Sequence, residues 1–301
     1  GTCRSSSEKE ERMPNRPGAV LYVLRATLGG VDLGTVDGDG VAWRLQTLEG
    51  WDSPDLRSEM TDREGDHGAW AGPVYLGARP ITLGGTIVAP SQAALEEAME
   101  RLRVAAGLTD TLLTVWETIP KQATVRRSGK PLMQYITDTR ATYSVMVTAA
   151  DPRRYSTTLQ SGTAGLPFTT GGLTPPLTPP LTSNAVTVSG EIMATNAGTF
   201  GTRPVFVITG PVTGPQIITQ MPDGSVLPLI YSQDLYTGDQ LVIDTDAKTC
   251  RINNSASRRR FLTVPSGWPL IPARAAAAVQ FRAQSYSASA LLTARWRSAW
   301  I

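Results

Sequence analysis

The sequence predicts a mainly β protein of two sandwich-type domains, the first carrying a single amphipathic helix. Three observations predict it. The 301 residues include 28 Gly and 22 Pro, with 41% hydrophobic and 18% charged residues, so the apolar residues fall in short runs broken by turn formers. Only residues 91–106 repeat their apolar positions at helical spacing. Finally, a Gly-, Pro- and Thr-rich segment, 161–183, separates two stretches that are each of ordinary domain length. At its centre is Thr174-Pro175-Pro176-Leu177-Thr178-Pro179-Pro180. Proline fixes φ and removes a donor, so an extended, semi-rigid linker is expected there. The expected organisation is a disordered extension at 1–12, a first domain at 13–160, the linker, and an all-β domain at 184–301.

Residues 1–12 are polar and charged, and Met13-Pro14 before the apolar run 19–24 reads as the start of the folded part. Residues 20–27 and 31–36 are β-branched runs separated by Gly29-Gly30, and Asp37-Gly38-Asp39-Gly40 leads into 41–48. Gly and Asp tolerate the backbone of tight hairpin turns, so three opening strands are predicted. Residues 49–72 are polar and loop-like, and unusually long for a loop in a compact domain, which points to a binding or assembly role or to disorder. Strand character resumes at 74–76 and 81–88.

In 91–106, Ser91 can cap the first turn and Gly107 can end the last. Leu95, Ala98, Met99, Leu102, Ala105 and Ala106 share one face, with Glu97 and Arg101 spaced to pair on another. Residues 112–117, 123–127 and 141–149 return to strand patterns, and the domain closes near Asp151-Pro152. Beyond the linker, runs at 185–193, 204–209, 216–219, 240–244, 249–253, 259–264, 276–281 and 291–296 are spaced as in a sandwich.

Few residues carry chemistry. His67 is the only histidine, and Cys3 and Cys250 are the only cysteines, so there is no disulfide framework or paired-cysteine metal knuckle. No GxSxG elbow occurs, and Gly129-Lys130 is followed by Pro131 where a phosphate loop needs Ser or Thr. Asp37 and Asp39 resemble the start of a calcium loop, but Val41 occupies the fifth position, so a turn is expected. No stretch approaches the roughly 20 apolar residues of a membrane span. Catalytic, cofactor and metal sites are therefore not expected, and neither is an enzyme.

Residues 251–301 contain eight Arg and no Asp, Glu or Lys, so the net +2 of the whole chain leaves −6 on the first 250. Opposite charge at the two ends suits subunits that dock head to tail, a solvated basic face being the alternative. Arg258, Arg259, Arg260, Arg295 and Arg297 are the candidate inter-subunit charge contacts, because the basic runs lack the density of a nucleic-acid binder. Arg295 and Arg297 flank Trp296 on a predicted strand, which leaves the indole free to be buried.

Several strings, in order, resemble the distal tail proteins of long-tailed siphophages, especially those of phages infecting actinobacteria. They are Leu48-Glu49-Gly50-Trp51-Asp52-Ser53-Pro54, Gly65-Asp66-His67-Gly68-Ala69-Trp70 and Ala149-Ala150-Asp151-Pro152-Arg153-Arg154-Tyr155, then Asn196-Ala197-Gly198-Thr199 with Arg203-Pro204-Val205, and Arg295-Trp296-Arg297-Ser298-Ala299-Trp300. The resemblance implies an N-terminal belt domain whose copies close into a hexameric ring at the distal end of the tail, and a galectin-like C-terminal sandwich outside it. It also implies axial partners: the tail tube protein, the tail-tip hub protein and the tape measure protein. The protein would be made in the bacterial cytoplasm and end in the virion. Trp51, Trp70 and Tyr75 are the candidate ring contacts, being aromatic residues in a long polar stretch. Two alternatives share this fold. One is a carbohydrate-binding module of a tail tip that meets host surface polysaccharide, and the other is the hub of a gene-transfer particle or contractile injection device.

Overall fold

The structure is a computed structural model that describes residues 24–170 and 186–301. The expected extension at 1–12 and the proline-rich centre of the linker lie outside the described residues. Among the described residues the architecture is mainly β, with one α-helix and two separate hydrophobic cores.

The first core is wrapped by a long antiparallel sheet. Its backbone runs from Ala42–Glu49 through Arg79–Val88 to Arg140–Ala149, then by Lys121–Arg127 and Thr111–Val115 to Ala26–Leu28 and Val31–Leu33. The sheet turns a corner where Arg126 and Arg127 pair Thr148 and Val147. Strict alternation puts Ala141, Tyr143, Val145 and Val147 inside and their neighbours outside. Trp43 meets Tyr143 edge to face at 6.4 Å.

The helix, Gln92–Ala105, lies on this core. Ser91 caps it, its Oγ accepting from the Ala94 N–H at 3.2 Å, and Leu95, Ala98, Met99, Leu102 and Ala105 are buried as the spacing predicts. Each buried Leu contributes roughly 1.5–3 kcal/mol. The expected Glu97–Arg101 pair does not form. Arg101 instead donates to Asp37 (2.8 Å) and Asp39 (3.2 Å) in the turn before Ala42–Glu49. The Asp37 carboxylate also accepts from the Asp39 and Val41 N–H groups and the Trp43 indole. Burial opposes its ionisation, but these donors outweigh burial and lower its pKa. They also saturate the carboxylate as a turn cap, which accounts for the calcium-like start of the motif.

The second core is a sandwich. A six-stranded sheet, ordered Gln160–Gly165, Leu291–Trp296, Val205–Thr209, Gln240–Asp244, Thr249–Ile252 and Ala256–Ser257, faces a five-stranded one. The latter is ordered Glu191–Asn196, Ala275–Arg282, Gln216–Gln220, Val226–Tyr231 and Leu262–Thr263. Phe206, Ile208, Leu241, Ile243, Leu292, Ala294 and Trp296 from one sheet meet Ile192, Ile217, Leu229, Val279 and Phe281 from the other. Trp296 is buried, as its position between two arginines predicts.

Three sequence expectations are corrected here. Gln160–Gly165, which straddles the expected start of the linker at 161, is a strand of the second sandwich, pairing Leu291–Trp296 over its whole length. Its small residues form a weak strand pattern because Gly162 lies against Ile192. The run at 259–264 is a 3-10 turn, Arg259–Phe261, before a two-residue strand. The run at 185–193 is broken at Gly190, which has φ +64°.

Candidate assembly interface

The expected loop at 49–72 is instead mostly a β-hairpin arm. Leu56 pairs Leu76 and Arg57 pairs Tyr75; further out, Met60 pairs Ala71, Thr61 pairs Trp70 and Asp62 pairs Ala69. Backbone bonds from Gly72 to Glu59 (2.9 Å) and from Arg63 to Gly68 (3.1 Å) join these pairs into one ribbon. Its polar sequence hides the strand signal, because neither face of the ribbon packs on a core. Leu56, Met60, Trp70, Val74 and Tyr75 are all at least 60% exposed. Arg63 stacks 4.5 Å over Trp70, and His67 sits in the exposed tip. A two-stranded ribbon alone is marginal, and these exposed apolar side chains make the arm a candidate interaction surface.

Trp70 and Tyr75 therefore lie where a neighbouring molecule could reach them, whereas Trp51 does not. Trp51 is 2% exposed and part of the first core. Gly50 has φ +77°, and a Cβ there would run into the Pro80 carbonyl. This close approach turns Trp51 inward, where its indole donates to Glu117 at 2.6 Å.

Around Trp51 lies the joint between the two cores. Arg154–Ser156 forms a strand between Lys121–Arg127 and the last strand, Ala299–Trp300. The Arg154 guanidinium stacks 5.4 Å from Trp51, lies 3.8 Å from Glu117 and donates to the Ile301 carbonyl. Arg153 spans the joint to Asp246 (2.9 Å), which Arg203 also approaches (3.5 Å). Asn196 orders the other side. Its amide donates to the Phe200, Ile271 and Pro272 carbonyls, and its oxygen accepts from the Gly198 and Ala299 N–H groups. The strings around Trp51, Arg153, Asn196 and Trp300 that mark the family resemblance thus converge on one joint.

Glu117 accepts from both Trp51 and Lys121. Burial pushes its carboxyl up, but these donors and the charges of Lys121 and Arg154 outweigh burial and hold it below its ordinary 4.5. A carboxylate with a depressed folded pKa stabilises above its unfolded pKa, and that contribution fades as pH falls through the folded value. Glu117→Gln is expected to lower the melting temperature at neutral pH, with the gap to the parent closing in a melting series taken below pH 4.5. A gap that stayed constant with pH would show that the charge is not what stabilises.

Of the five candidate arginines, two donate side-chain hydrogen bonds within the described residues. Arg297 donates to the Ser156 (2.9 Å) and Thr157 carbonyls, and Arg259 donates to the Leu262 carbonyl (2.7 Å) and stacks on Trp268. Arg260 is exposed, with its guanidinium 4.4 Å over Phe261, and Arg295 is exposed. Arg258 is half-buried beside a pocket. The sequence reading also missed an outer edge of the first sheet, Leu132–Thr137, which pairs Arg140–Ala149 and exposes Leu132, Tyr135 and Ile136. Among the described residues, no cluster of His, Cys, Asp and Glu could hold a metal ion, and no helix is long and apolar enough to cross a membrane.

Two β cores joined through the Arg154–Ser156 and Ala299–Trp300 strands, one core bearing a helix and an external arm, define the class as a two-unit antiparallel β protein. Among solved structures it has the fold of the Dit protein of phage SPP1, described as a hub adsorption protein of phages that infect Gram-positive bacteria. The likeness has a TM-score of 0.62 at 14% identity and covers 93% of this chain and 100% of that one. The activated phage P2 baseplate contains a more distant match, with a TM-score of 0.48 at 9% identity over 90% of this chain and 97% of that one. No protein-family model matches the sequence, and no curated protein matches it significantly.

Proposed function

We propose that this chain is a non-enzymatic structural subunit of a phage tail. Copies close into a ring, hexameric by the family resemblance, at the distal end of the tail, joining the tail tube to the tail-tip hub. The observation that carries the reading is the arm, which displays Leu56, Met60, Trp70, Val74 and Tyr75 away from both cores, on a chain with the fold of a hub adsorption protein. The receiving surface is the Leu132–Thr137 edge of the next copy. An exposed apolar edge strand is normally covered or blunted by charge, and a heterologous contact that repeats around an axis closes a ring.

Solution mass and negative-stain imaging of the full chain test this reading. The parent is expected to form rings with a central channel. Replacing residues 58–73 with an Asn-Gly turn, or introducing Ile136→Lys at the edge, is expected to give folded monomers that unfold cooperatively, at a temperature lowered only by the loss of subunit binding. Trp70→Ala should weaken assembly by about 30-fold or more, as an aromatic anchor at an interface does. Rings that survived both the arm replacement and Ile136→Lys would remove the arm and this edge from the interface.

A further inference from the structure

We propose that five exposed charges on the first unit select head-to-tail pairing of copies and exclude two-fold pairing. They are Glu59, Asp62 and Glu64 on the arm, and Lys130 and Arg140 at the Leu132–Thr137 edge. The inference rests on the assembly reading above and names what gives that contact its direction.

The two surfaces carry opposite charge. Residues 58–73 hold Glu59, Asp62, Glu64 and Asp66 against Arg63, a net −3, whereas residues 126–140 hold Arg126, Arg127, Lys130 and Arg140 against Asp138, a net +3. Part of each set is neutralised within the chain, since Asp66 lies 4.0 Å from Arg63 and Arg126 lies 2.8 Å from Asp110. The five selected residues are exposed and, among the described residues, form no ion pair or side-chain hydrogen bond.

Their placement matches as well. The acids lie along one strand of the ribbon, Asp62 within Met60–Asp62 and Glu59 and Glu64 beyond its ends, while the facing strand, Ala69–Ala71, is uncharged. Lys130 stands two residues before the edge strand, and Arg140 pairs Thr137 at its far end. At about 3.3 Å per residue, Glu59 to Glu64 and Leu132 to Thr137 each span roughly 17 Å. Among the described residues Leu132–Thr137 pairs only Arg140–Ala149, so its other edge is open to an added strand. An arm strand laid there sets carboxylates against cations at both ends.

Like charges opposite each other in paired strands are destabilising. Two arms related by a two-fold axis would set Glu59, Asp62 and Glu64 against their own copies, and two edges would do the same with Lys130 and Arg140. The exposed apolar residues of arm and edge would accept either arrangement, so the charges decide. Arm to edge is the complementary combination, and it is heterologous, so it repeats around an axis instead of ending at a dimer.

Sedimentation velocity and negative-stain imaging of two full-length variants test this. One reverses the arm (Glu59→Lys, Asp62→Lys, Glu64→Lys), and the other reverses the edge (Lys130→Glu, Arg140→Glu). Each variant alone sets like charges together and should assemble about 100-fold more weakly than the parent. An equimolar mixture should restore rings of parental mass in which the two variants alternate, which also shows that both are folded. Parent assembly should weaken by about tenfold or more as salt is raised from about 0.05 to 0.5 M. Rings formed by either variant alone, or salt-insensitive parent rings with no rescue in the mixture, overturn the charge selection and leave the arm contact standing. A parent that forms no ring removes the assembly reading and this inference with it.

Discussion

Arg79→Met is expected to destabilise the first core by about 3–5 kcal/mol, because three buried carbonyls lose their donor. Arg79 is fully buried, and its guanidinium donates to the carbonyls of Pro152 (2.9 Å), Gly50 (3.2 Å) and Trp51. Burial, and then the nearby Arg154, lower its pKa to about 10, so it is still a cation at neutral pH. Two effects compete in the variant. Removing a desolvated charge is favourable, but three buried carbonyls lose their donor, at about 1–3 kcal/mol for each that stays unsatisfied. The second effect should win, because these carbonyls fix both the Gly50-Trp51 turn and the start of the joint. Urea unfolding followed by Trp fluorescence measures it. A loss below about 1 kcal/mol would mean that desolvation nearly cancels the hydrogen bonds. Arg79→Lys should rescue only part of the loss, because an ammonium cannot reproduce the planar fork.

Trp300→Ala is expected to cost about 3–5 kcal/mol and to uncouple the two cores. Trp300 is 9% exposed, pairs Arg154 across the joint, and carries the Lys121 ammonium 5.5 Å over its ring. Its strand is the last element of the chain, yet it extends the sheet system of the first core, while Phe200 and Asn196 of the second unit bond to the neighbouring Ala299. Calorimetry should therefore show the parent unfolding in one transition and the variant in two, since the joint is what makes the cores cooperate. A single transition at nearly the parent temperature would show that the coupling runs elsewhere, through Arg153 and Asp246 for example.

The legible parts of the fold were those with a local periodic signal. The helix was readable to within a residue, because its Ser91 cap and its apolar stripe lie within about sixteen positions, although Ala106 and not Gly107 caps its C-terminal end. The strands of both cores were readable where one face is buried, as in Arg140–Ala149. The arm was not, because a ribbon exposed on both faces has no apolar alternation to display. Gln160–Gly165 escaped for the opposite reason: its partner packs so close that small residues replace β-branched ones. Of the candidate interface residues, Trp70 and Tyr75 are exposed and Trp51 is buried. An aromatic residue in a polar stretch signals an anchor without saying whether the partner is another chain or its own core.

By itself, the sequence determined the β class, the single helix and the scarcity of chemistry-bearing residues, because composition, period and motif spacing are local properties. Only the tertiary structure decided that Trp51 faces inward, that Arg101 reaches the Asp37 turn, and that the last strand returns to bind the first core. Each of these depends on a contact between residues dozens to more than a hundred positions apart. The physical reason is that a side chain's partner is chosen by packing and hydrogen-bond satisfaction in three dimensions, and no local pattern encodes that choice.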